Sequence, residues 1–159
     1  MYRSSPSIGA LIDLLETQQA RFEAVLTVLD RERAAFKVLA APPLVRISES
    51  KLGLLEEIRL LEERRSAVVF RLASKWGVQA DGLTLRAIAE RLGPIERGLL
   101  LRLHERLNRV VTAVGDATSL NGELIAHSLS FLSPGFEAGE RRESGDPTGR
   151  GCRTERITA

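Results

Sequence analysis

The stretch Ser7–Ala40, SIGALIDLLETQQARFEAVLTVLDRERAAFKVLA, decides the fold. Ile8, Leu15, Phe22, Leu29 and Phe36 recur at seven-residue spacing, with Leu11/Ile12, Val25/Leu26 and Leu39 between them. On a helix this spacing gathers the apolar side chains into one stripe. At the helical rise the stretch is about 50 Å long. Gln18/Gln19 and Glu32/Arg33 stand where apolar residues would continue the stripe. They are read as two weak levels in the seam.

Working outward, Pro42-Pro43 should stop this helix, because proline lacks the amide donor and restricts the residue before it. A second helix is expected from near Ser48, a candidate cap, with Glu49 in its first turn. Its stripe is Ile47, Leu54, Ile58, Leu61, Val68 and Leu72, opposite a solvated side of Glu56, Glu57, Glu62, Glu63, Arg64 and Arg65. It should end near Lys75-Trp76, with Gly77 as the stop. Thr84 can cap a short third helix, Leu85–Leu92, ended by Gly93. Pro94 suits the first position of a fourth helix. That helix should carry its core on Leu100, Leu103, Leu107, Val110, Val114, Ala117, Leu124 and Phe131, reaching about Ser133 before Pro134-Gly135.

The sequence therefore predicts an all-α protein: an antiparallel bundle of three long helices plus one short connecting helix. The bundle should span residues 1–136. The Gly-, Arg-, Glu-, Ser- and Thr-rich stretch 137–159 should be a disordered tail.

Composition agrees and narrows the function. The 159 residues carry 23 Lys+Arg and 21 Asp+Glu, for a formal net charge of +2. A nucleic-acid binder usually concentrates excess base on one face, so this near-even balance argues against one. Leu, Arg, Glu and Ala dominate, residues of high helix propensity. Cys152 is the single cysteine and precludes a disulfide within the chain. No signal peptide is read at the N-terminus, because Asp13 and Glu16 interrupt the leucines. No run approaches the roughly 20 apolar residues of a membrane span. A soluble, cytoplasmic protein without membrane insertion is expected.

Catalytic chemistry is not written in the residues. His104 and His127 are the only histidines, too few with one cysteine for a structural metal site. No cofactor is implied. Gly93–Gly98 lacks the Lys-Ser/Thr ending and preceding strand of a phosphate loop. The carboxylate pairs Glu56-Glu57 and Glu62-Glu63 read as solvated helix charges beside Arg59, Arg64 and Arg65. The chain is not expected to be an enzyme. One segment, Leu83–Gly93, reads like the first helix and turn of a helix-turn-helix, which supplies an alternative reading as a DNA-binding regulator. A recognition helix would open with donor-rich residues. Here Pro94-Ile95-Glu96-Arg97-Gly98 leads into Leu99-Leu100-Leu101.

The fourth helix holds the strongest functional signal. On a helical wheel, Ala117, Leu124, Ser128 and Phe131 share the core face. Ile125, Leu129 and Leu132 form a second apolar strip beside it, flanked by the small residues Gly115, Thr118 and Gly122. An apolar arc of about 100° suffices to pack one side of a bundle helix, and this one is wider. Three uses compete: enclosure by two neighbouring helices, a homodimer surface, or a groove receiving a partner's amphipathic helix.

The sequence also resembles a family, the FlgN-type flagellar export chaperones. The likeness rests on Leu29–Ala34, on KLGLLEEIRLLEERR at 51–65, on Leu83-Thr84-Leu85, and on NGELIAHSL at 121–129. Thr118 stands where the family tends to have a second asparagine. The resemblance implies a type III secretion chaperone that binds helical C-terminal segments of the hook-associated junction proteins. Such a chaperone prevents premature assembly and delivers its clients to the export gate or ATPase complex. Partner-binding positions are then expected at Leu120, Asn121, Leu124, Ile125, Ser128, Leu129 and Leu132, with Gly115, Thr118 and Gly122 permitting close approach.

Overall fold

In the structure, a computed structural model, residues 5–38 and 41–143 are described, with side-chain surroundings up to Ser128. Four helices follow in order: α1 (Pro6–Lys37), α2 (Ala41–Trp76), α3 (Leu85–Glu90) and α4 (Pro94–Glu143). No strand occurs among the described residues. The expected three long helices and one short helix are all present. The chain divides into two compact units, Met1–Leu124 and Ile125–Ala159, and α4 supplies helix to both.

Two helix ends fall elsewhere than the prolines suggested. Pro42 and Pro43 lie in the first turn of α2, which begins at Ala41, seven residues before Ser48. The first amides of a helix have no intrahelical acceptor, so proline removes nothing there. The prolines thus open the second helix. At the far end, α4 continues through Pro134-Gly135 to Glu143. Beyond the proline the sequence Phe136-Glu137-Ala138-Gly139-Glu140-Arg141-Arg142-Glu143 is mostly good helix former, and that propensity carries the helix on. Leu39, at the expected end of the first stripe, lies outside the described residues. So do Cys152 and the part of the tail beyond Glu143.

The remaining stops follow local chemistry. Gly77 adopts φ 64°, and the amides of Gly77 and Val78 donate to the carbonyls of Ser74 and Ala73. This paired closure needs a left-handed residue, which glycine adopts without a Cβ penalty. Thr84 Oγ1 accepts the Ala87 amide at 3.2 Å and opens α3. The last turn of α3 tightens, with Arg91 and Leu92 amides donating to the carbonyls of Ile88 and Ala89, so regular helix ends at Glu90.

Within the first unit, α1 and α2 run antiparallel, shown by the pairs Gln18–Glu62, Arg21–Glu57 and Glu32–Lys51. The core is densest at the α3 end. Ile8, Leu11 and Leu15 of α1 meet Val68 and Leu72 of α2, Leu85, Ile88 and Ala89 of α3, and Leu100 and Leu103 of α4. The short helix plugs that end, and Arg91 stacks 5.4 Å from the Trp76 ring to tie it to α2.

The two supposed weak levels of α1 prove to be buried. Gln18 is 3% exposed and Glu32 is 4% exposed. Gln18 Nε2 donates to Glu62 Oε2 at 3.0 Å. Glu32 accepts from Lys51 and from Asn121. What reads in sequence as a gap in the seam is a polar crosslink between helices.

Candidate partner-binding surface

The site is best built from Asn121. Its side chain is 2% exposed. Its Nδ2 donates to the Leu29 carbonyl at 2.9 Å and to Glu32 Oε2 at 2.8 Å, while Oδ1 accepts from Arg33 Nε at 3.2 Å. Because Glu32 and the carbonyl only accept and the guanidinium only donates, the amide has one satisfactory orientation. Lys51 completes the node from α2. One asparagine thus joins α4 to α1, and through Glu32 to α2.

The neighbours of Asn121 are placed by the helix itself. Leu124 is half-buried, as are Val114 and Ala117 on the same inner face. Leu120 is 43% exposed. Gly115, Thr118 and Gly122 are exposed, and a Cβ added at either glycine would meet no atom within 4 Å. Nothing among the described residues therefore requires glycine at those positions. Thr118 Oγ1 donates to the Val114 carbonyl at 2.7 Å, so its hydroxyl is satisfied within its own helix. In the second unit, Ile125 is 37% exposed and Ser128 is half-buried. The side chains of Leu129, Phe131 and Leu132 lie outside those described.

Of the expected partner positions, Leu120 in the first unit and Ile125 in the second are exposed. Asn121 is the departure: it is turned inward and bonded within the bundle. Sequence inspection marked it for its place in a distinctive motif and could not see Glu32 arriving from α1.

The charged side of α2 behaves as its composition suggests. Arg59 bridges Glu56, at 2.8 Å, and Glu63. The Arg59 bond holds the Glu56 carboxyl below the ordinary carboxylate value, and both carboxylates push the guanidinium up. Glu62 is the exception on that side. Its carboxyl is held down chiefly by the hydrogen bonds from Arg65, assisted by the Gln18 amide, while partial burial opposes this. Beside it, a cleft of about 560 Å³ has Phe22 of α1, Leu55 and Ile58 of α2, and Leu107 and Val111 of α4 in its walls. The sequence signal for this feature was Gln18, a polar residue in an apolar stripe.

No group of acidic, histidine or cysteine side chains suited to a metal occurs among the described residues. No helix among them is long and apolar enough to cross a membrane. The segment resembling a helix-turn-helix is committed to the core. Leu85, Ile88 and Ala89 are buried, and Leu100 and Leu103 bury the start of α4, which runs on for 50 residues in all.

The class is therefore an all-α bundle whose last helix is clamped inside by a polar node and carries large apolar side chains outside. The chain belongs to the FlgN family, whose description, FlgN protein, matches residues 1–138. No curated protein and no solved structure matches it.

Proposed function

We propose that this protein is a flagellar type III export chaperone, acting on the helical C-terminal segments of hook-associated junction proteins. The observation that supports the reading is the exposure of large apolar side chains on α4, Leu120 in the first unit and Ile125 in the second. A client segment is disordered alone and folds as an amphipathic helix against α4. In the first unit its contact is Leu120, with Leu124 at the edge. In the second unit the contacts are Ile125, Ser128, Leu129 and Leu132. The exposed Gly115, Thr118 and Gly122 leave room for a close backbone approach.

Full burial of a large apolar side chain contributes about 1.5–3 kcal/mol. Ordering the client opposes this, so net affinity is moderate and release at the export gate or its ATPase complex is feasible. Covering the client's assembly surface in the cytoplasm prevents premature polymerisation. Membership of the FlgN family supports the same assignment.

The direct test is co-purification with junction proteins, intact and lacking their C-terminal ends. Retention of the intact proteins and loss of the truncated ones is expected. Equal retention of both forms contradicts the reading. Light scattering of the chain alone separates it from a homodimer that uses the same side chains.

A further inference from the structure

The outer face of α2 carries a pattern that reads the same from either end, with its charges exchanged. Leu52 is 65% exposed and Phe70 is 64% exposed. They stand 18 residues apart in sequence, which is five whole turns, so both fall on one line of the helix about 27 Å long. Seven residues inward from Leu52 is Arg59, and seven inward from Phe70 is Glu63. A step of seven returns to within about 20° of the same line. Arg59 and Glu63 are exposed as well. The buried side chains Leu61, Val68 and Leu72 lie on the opposite side of α2. This face is therefore the one that α2 turns away from its own core.

A single exposed apolar side chain is ordinary. The symmetry of this set is what points to an occupant. Lay an antiparallel copy of α2 against the face, centred at the level of Leu61. Leu52 then meets the partner's Phe70, Arg59 meets the partner's Glu63, and each contact occurs twice. A two-fold contact requires such a self-complementary patch. A parallel copy would set Arg59 against the partner's Arg59 and Glu63 against the partner's Glu63, and like charges facing each other are disfavoured. Charges flanking an apolar helix contact commonly set its orientation in this way. Within one chain Arg59 already bridges Glu56 and Glu63. The second copy extends that pairing into a ring of alternating sign.

We propose that this protein self-associates as a two-fold antiparallel dimer through the outer face of α2, with Leu52 on the partner's Phe70 and Arg59 on the partner's Glu63. The surface uses none of the α4 positions assigned to a client and does not rest on the chaperone reading. One helix face of this length is a small contact, so the dimer is weak, with a dissociation constant of about 10–100 μM.

The test is analytical ultracentrifugation of the full chain from about 5 μM to 1 mM, with reductant present so that Cys152 cannot crosslink. The native chain should pass from monomer to dimer across that range. Phe70→Asp and Leu52→Asp should each raise the dissociation constant by about tenfold or more while keeping the helical circular dichroism. Arg59→Glu alone and Glu63→Arg alone should each weaken association, because each sets like charges across the contact. An equimolar mixture of those two variants should associate again, since each position then faces its opposite. A native chain that stays monomeric to about 1 mM overturns the proposal. So does a dimer that survives Phe70→Asp, which would place the contact elsewhere, on α4 for example. A mixture of the charge variants that associates no better than either alone overturns the antiparallel register.

Discussion

The two ends of the first unit are built on different principles. At the α3 end, four helices bring aliphatic side chains together, and Leu11, Ile88, Ala89 and Leu100 are fully enclosed. Toward the C-terminal end of α1 the same bundle is held by polar layers: Gln18 with Glu62, then Glu32 with Lys51 and Asn121. The apolar end supplies most of the stability, because burial is non-directional and scales with area. The polar end supplies orientation, because each donor and acceptor must meet a particular partner. The difference teaches that one unit can be closed by shape at one end and by matched donors and acceptors at the other.

Substitutions can break that contrast in order of size. Leu72→Ala, at the apolar end, should cost about 2–5 kcal/mol in denaturant unfolding, since the enclosed site cannot collapse fully. Asn121→Ala, at the polar end, should cost less, about 1–3 kcal/mol, by leaving Glu32 short of a donor. An equal or larger loss for the asparagine would reverse the assignment of stability to the apolar end. Gly122→Ala should act in the opposite direction, raising stability by about 0.5–1 kcal/mol, because the added methyl meets open space in a helix interior.

The smallest effect concerns acid. The folded Glu62 carboxyl lies below the ordinary value of 4.5, chiefly through Arg65. Such a group adds stability above its unfolded pKa and loses it as pH falls through the folded one. Glu62→Gln should therefore flatten a small part of the stability loss below about pH 4.5 and leave neutral behaviour almost unchanged. A variant that shifts the neutral midpoint substantially would show that the layer matters by its packing and not by its charge.

Much of this architecture was legible in the residues. The seven-residue recurrence from Ile8 to Phe36 identified α1, Thr84 marked the start of α3, and Gly77 marked the end of α2, because each signal acts within a turn or two of itself. Pro42-Pro43 and Pro134 misled about boundaries, since a proline's effect depends on whether its amide was needed. Gln18 and Glu32 read as defects in sequence, because one helix seen alone cannot reveal the partners that Gln18 Nε2 and the Glu32 carboxylate meet. The same blindness applied to Asn121. Its place seven residues after Val114 turns it inward with the rest of the stripe, but the carboxylate it meets there comes from far earlier in the chain. Ile125 was nameable as apolar surplus and Leu120 as a partner position, whereas how far each is exposed is a property of the folded chain.

The central claim is that apolar side chains left outside on α4 capture a client helix. Titration calorimetry of Leu120→Asp/Ile125→Asp against a purified junction-protein C-terminal segment tests it most directly, because both positions are already exposed and the free chain should keep its helical circular dichroism. A loss of about a hundredfold or more in affinity is predicted from two large apolar contacts. A folded double variant that binds the segment as tightly as the native chain would contradict the account.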